Sequence, residues 1–152
     1  MTTDPQADGR TVVVRREYPD PVGEVWAALT EPDRLARWLG HYTGTGGVGA
    51  RVEFTLTGEV DAGGEVADPV DVRILACDPP HRLVVEIPES DERSWHLDLT
   101  VEHHGDGAVL VFAQRLADGL RREDVEAGWR WYLDRLEAFL HGTPMPDWAA
   151  YT

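Results

Sequence analysis

The run Pro21-Val22-Gly23-Glu24-Val25-Trp26-Ala27-Ala28-Leu29-Thr30-Glu31-Pro32-Asp33-Arg34-Leu35-Ala36-Arg37-Trp38-Leu39 narrows the choice of fold most, because it follows without a linker on the strand-like run Thr11 to Tyr18. Val22, Val25, Trp26 and Leu29 recur at helical spacing and give a short helix one apolar face. Pro21 stands where a missing backbone N–H costs nothing. Thr30 is placed to cap a second short helix running through Leu35 and Trp38. Pro32 and Asp33 fall in its first turn, where a rigid φ and a negative charge are both favourable. A strand therefore feeds a helical elbow that ends on a large aromatic side chain.

Beyond the elbow the period changes from helical to alternating. Val52, Phe54 and Leu56 alternate with Arg51, Glu53 and Thr55, and Val70, Val72, Ile74 and Ala76 repeat the pattern. Leu83, Val85 and Ile87 come next, followed by Trp95, Leu97, Leu99 and Val101, which alternate with Ser94, His96, Asp98, Thr100 and Glu102. Leu110 and Phe112 follow the turn signal His104-Gly105-Asp106-Gly107, and Asp78-Pro79-Pro80 is a second turn, since neither proline continues a ladder. These runs predict an antiparallel meander of six or seven strands. The Gly-rich segments 40–49 and 61–68 read as flexible connections. The first has no P-loop lysine, and a strand follows it where a dinucleotide fingerprint needs a helix.

The last regular element is the longest. From Arg121 to Leu140, Val125, Trp129, Tyr132, Leu133, Leu136 and Leu140 fall at three- and four-residue intervals, with Glu123, Asp124, Arg130, Asp134 and Arg135 on the other face. Gly142 is a natural C′ residue. The tail from Thr143 to Tyr151 has too much proline to extend the helix and too many aromatic residues for a solvated linker. It is expected to pack on its own domain or on a second subunit, so a homodimer is one open partner.

The Pro-x-x-x-Val-Trp-x-Ala-Leu-Thr run from Pro21 to Thr30, followed by Pro32, Leu35 and Trp38, resembles the family named for the activator of the 90-kDa heat-shock protein ATPase. That family is part of the START-like SRPBCC superfamily. Phe54, the Asp78-Pro79-Pro80-His81-Arg82-Leu83 turn, and Gly128-Trp129 with Leu133 and Leu136 continue the likeness in order, from about Thr11 to His141. The resemblance implies an α+β helix-grip fold, a curved antiparallel sheet wrapped around a long C-terminal helix, with a cavity between them and a Gly-rich gate near its mouth. Because one fold hosts many functions, it constrains the ligand far less.

Composition narrows the partners. The chain has 28 acidic residues against 14 Arg and no Lys, a net charge of −14 that repels phosphate backbones and anionic lipid headgroups. Neither nucleic acid nor membrane is an expected partner. Arg15-Arg16 and Arg121-Arg122 are too short to outweigh the surrounding field. Residues 1–10 are polar and no apolar run approaches the ~18 residues of a membrane span, so a cytoplasmic location is expected. Cys77, the single cysteine, fits a reducing compartment and reads as a small strand residue. The expected organisation is a flexible N-terminus over 1–10, one domain over 11–141 and a tail over 142–152.

Catalytic chemistry finds little support. His41, His81, His96, His103, His104 and His141 lie on strands, turns or a helix end without partners at ligand spacing. No Gly-x-Ser-x-Gly elbow exists. Asp98, Glu102, Asp134 and Glu137 read as solvated. Glu53, Glu86 and Gln114 are left as outward residues that a one-residue frame slip would turn inward. No catalytic residue, metal ligand or cofactor is therefore assigned.

The candidate ligand-binding set is Trp38, Phe54, Trp95, Leu97, Phe112, Trp129 and Leu133, each on the inferred inner face of its element. Aromatic residues at regular spacing serve a packed core as readily as a cavity, and the resemblance favours the cavity. The first reading is non-enzymatic binding of an apolar or aromatic small molecule between sheet and long helix. A chaperone partner, with the protein acting as a co-chaperone-like activator of a heat-shock ATPase, is the second. A cyclase- or dehydratase-like enzyme is the third, and it lacks an identifiable acid–base pair.

Overall fold

The structure, a computed structural model, describes residues 11–44, 48–57, 68–88, 94–116 and 121–151. The chain runs through β1 (Thr11–Tyr18), the elbow helices α1 (Val22–Thr30) and α2 (Pro32–Leu35), and β2 (Gly40–Thr43). It continues with β3 (Arg51–Leu56), β4 (Val70–Asp78), β5 (Arg82–Pro88), β6 (Ser94–His104) and β7 (Gly107–Arg115). The long helix α3 (Arg122–His141) and a 3₁₀ turn over Trp148–Tyr151 complete it. The strands form one curved antiparallel sheet in the order β1-β7-β6-β5-β4-β3-β2, so β2 to β7 are a meander and β1 returns to pair with its last strand. This is the expected helix-grip fold.

Register decides which side chains face α3. Val12, Gln114, Leu97, Val85 and Ile74 stand side by side across five strands. Val14, Phe112, Leu99, Leu83 and Cys77 form the next row, and most members of both rows join one buried cluster with Trp131, Tyr132, Leu133 and Leu136 of α3. One row departs from the simple alternation. A bulge between Ile74 and Ala76 pairs Ala76 with Val84 and moves Cys77 opposite Leu83. Ala76, expected inward, leaves the inner face and Cys77 takes its place, because an extra residue inverts the parity of everything after it.

The Gly-rich connection after the elbow is partly a strand. Gly40–Thr43 pairs with β3 as the edge strand β2. A side chain at Gly40 would place its Cβ 2.2 Å from the Thr55 carbonyl oxygen, so the glycine permits a close strand approach here. Residues 45–47 of the expected gate and residues 61–67 of the second Gly-rich connection lie outside the described residues, as do residues 1–10.

Two details of the helices differ from expectation. Thr30 does not cap α2, because its hydroxyl donates back to the Trp26 carbonyl within α1 at 2.8 Å, and Glu31 occupies the cap position. The elbow is instead tied by the Trp38 indole N–H, which donates to the Ala28 carbonyl at 2.8 Å. On α3, Gly142 ends the helix with a left-handed φ of 66°, as anticipated. Arg135, however, is buried, and Asp134 is only partly exposed. The tail explains this. Trp131 donates its indole N–H to the Pro146 carbonyl at 3.0 Å and its ring meets Trp148 with centroids 5.2 Å apart. Elbow, sheet and tail thus cover more of the helix circumference than a single apolar stripe.

Candidate functional site

The space between sheet and α3 has two unlike halves. Under the elbow, Leu133, Leu136, Val101 and Leu110 are at most 1% exposed. The Tyr18 hydroxyl donates to the Leu133 carbonyl at 3.4 Å, and burial, more than any neighbouring charge, pushes its phenol pKa up. Arg135 donates from Nε to the Trp38 carbonyl at 2.8 Å and lays its guanidinium 4.9 Å from the Trp131 ring centre. The cation is thereby neither naked nor free to move. The residues described in this half are buried and bonded within the protein.

Toward the start of α3 the lining is only half-buried. Arg122 donates to the Thr11 carbonyl at 2.8 Å and pins this end of the helix to the sheet. Val125 and Trp129 of α3, Ile87 of β5 and Trp95 of β6 are all of intermediate exposure. Trp95 pairs with Ile87 and shares a face with Leu97 by alternation. Trp129 lies against the buried Phe112 with ring centroids 4.2 Å apart, and against Tyr132 at 5.8 Å. Its indole N–H donates to Oε1 of Gln114, a side chain with 0% exposure. Nε2 of that amide has no partner among the described residues.

The predicted ligand set divides between these halves. Phe112, Trp129 and Leu97 come together around Gln114, the last through the register Leu97–Gln114. Leu133 follows one turn along α3, where the space closes, and Trp95 stands one row beyond Leu97. Phe54 packs on the cluster from β3 while half-buried. Trp38 lies under the elbow, where both its indole N–H and its carbonyl are engaged by protein.

Gln114 was the residue that sequence reasoning undervalued. It needs no frame slip to face inward, since it shares parity with Leu110 and Phe112, and that parity was the available signal. Glu53 stays exposed, and Glu86 faces outward with Arg73 3.8 Å away. Asp134, read as solvated, instead pairs with Arg16 at 3.0 Å and accepts a hydrogen bond from the Tyr151 hydroxyl. Burial, and then that bond, push the Tyr151 pKa up to about 12.

Other polar groups have structural partners. His81 bonds through Nδ1 with the Val101 carbonyl at 2.8 Å, and His141 lies 2.8 Å from Asp20. His96 alternates away from Leu97, between Glu86 and Arg115 in register. No group of three or more His, Cys, Asp or Glu among the described residues is arranged to hold a metal ion. A groove of about 450 Å³ runs along the edge of β1 between Val13, Arg15, Arg16, Arg130, Asp134 and Tyr151. It includes none of the predicted ligand residues.

Comparison with known proteins agrees with the fold. The model of the family described as activator of Hsp90 ATPase homolog 1-like protein matches residues 20–141. Among solved structures, CalU16 from Micromonospora echinospora is similar at 28% identity and a TM-score of 0.74, over 93% of this chain and 80% of that one. The protein encoded by gene BPP1335 from Bordetella parapertussis aligns at 25% identity and a TM-score of 0.78, over 95% and 82% of the two chains. DynU16, from the dynemicin biosynthetic locus, aligns at 25% identity and a TM-score of 0.72, over 90% of this chain and 49% of that one. No curated protein matches.

Proposed function

This chain belongs to the activator of Hsp90 ATPase homolog 1-like family, and from that premise we propose that it binds an apolar or aromatic small molecule between the sheet and the first half of α3. The observation that carries the reading is the half-burial of Trp129 beside the fully buried Phe112. A Trp that filled a core would be covered like Trp38 or Trp131. One left partly exposed, next to the half-buried Trp95, Ile87 and Val125, offers apolar area to a ligand. The origin of the similar DynU16 in a biosynthetic locus fits a small organic molecule as occupant.

The test is an apolar fluorescent probe titrated into the wild type, Trp129→Ala and His96→Ala. Binding to the wild type and His96→Ala, with loss in Trp129→Ala, is the expected result. Equal binding to all three would locate the probe elsewhere and remove the reading. A native mass spectrum of protein from its own host distinguishes a retained small molecule from a co-purifying heat-shock ATPase, the partner that the family name suggests.

A further inference from the structure

Gln114 is a polar side chain at the centre of an apolar surface. Val12 and Leu97 flank it on the neighbouring strands, and α3 covers it. A carboxamide carries one acceptor oxygen and two N–H donors. The Trp129 indole nitrogen donates only, so it must meet Oε1, and that contact sets the orientation of the amide. Nε2 is therefore turned away from the indole between sheet and α3, where it has no exposed area, so a ligand oxygen reaches it only when the side chains covering it move aside. No protein acceptor among the described residues reaches it. β7 is paired on both sides, so neighbouring backbone carbonyls are committed to the ladders with β1 and β6. Trp129 is itself steadied by Phe112, which makes the donor's direction a fixed property of the site.

A buried donor without an acceptor is costly, and an incoming group that accepts its hydrogen relieves that cost. Resting on the reading that this half of the grip takes an apolar ligand, we infer that the ligand is a flat aromatic or conjugated molecule bearing a neutral carbonyl oxygen. Its ring face lies on Trp129 and its oxygen accepts a hydrogen bond from Gln114 Nε2. A carboxylate suits the site poorly. The immediate neighbours Val12, Leu97 and Phe112 carry no charge, and the net charge of −14 opposes a further anion.

Fluorenone and fluorene share a tricyclic skeleton and differ in having a carbonyl or a methylene at one position. The wild type should bind fluorenone about fivefold more tightly than fluorene, the scale of one neutral hydrogen bond. Gln114→Met should retain fluorene within about twofold and lose the preference. The infrared carbonyl band of fluorenone bound to the wild type should also move to lower frequency than in hydrocarbon solvent, a readout that needs no variant. Equal binding of the two probes by the wild type, or an unshifted band, overturns the hydrogen-bond assignment and leaves the apolar site standing. Failure of both probes to bind overturns the site itself, and this inference with it.

Discussion

The two halves of the space enclosed by sheet and helix are built from similar residues and behave differently. Under the elbow, Leu133, Leu136 and Trp38 are buried and each polar group described there meets a protein partner, down to the Arg135 guanidinium. Toward the start of α3, Trp129, Trp95, Ile87 and Val125 retain exposed area around one amide with an unmatched donor. Aromatic content does not separate the halves, since each holds tryptophans. What separates them is whether a second element closes over the residue. The elbow and the C-terminal tail close one end, while the other is bounded by the inner face of the sheet and the first half of α3.

That contrast is most exposed to failure at Leu136. Leu136→Ala should destabilise the protein by about 3–4 kcal/mol in chemical denaturation, because a fully buried side chain with fixed neighbours leaves a cavity that cannot collapse. Arg135→Ala should come next, at about 2 kcal/mol, through the orphaned Trp38 carbonyl and the lost packing on Trp131. Trp129→Ala should cost less than Leu136→Ala, about 2 kcal/mol and below the usual range for a fully packed Trp, because the residue is only partly buried. If Trp129→Ala costs as much as Leu136→Ala, the two halves are equally packed and the comparison collapses.

The smallest effect is expected at the tail. Tyr151→Phe removes one hydrogen bond to Asp134 at a partly exposed position and should cost less than about 1 kcal/mol. Its pH dependence sharpens the point. Burial and the Asp134 bond raise the Tyr151 pKa to about 12 from an ordinary value of 10.0. The stabilisation is therefore fully present below about pH 10 and is lost as pH rises toward about 12, when the phenolate forms beside a carboxylate. Thermal unfolding of wild type and Tyr151→Phe should differ at neutral pH and converge above pH 10. A gap that widens there would contradict the sign.

The sequence by itself determined most of the elements and their order. Alternation specified the strands because every second side chain had to leave water, three- and four-residue spacing specified α3 for the same reason, and Gly142 marked its end. It also contained the inward position of Gln114, in parity with Phe112, although polarity argued against believing it. The tertiary structure decided what lay beyond the reach of periodicity. A bulge exchanged Ala76 for Cys77, a close approach at Gly40 turned a glycine-rich link into an edge strand, and the returning tail and elbow buried Arg135 and half-covered Asp134. Periodicity reports how a side chain is oriented within its own element. Whether that face ends in packed protein or in open space depends on segments distant in sequence, and only their arrangement in three dimensions separates Trp38 from Trp129.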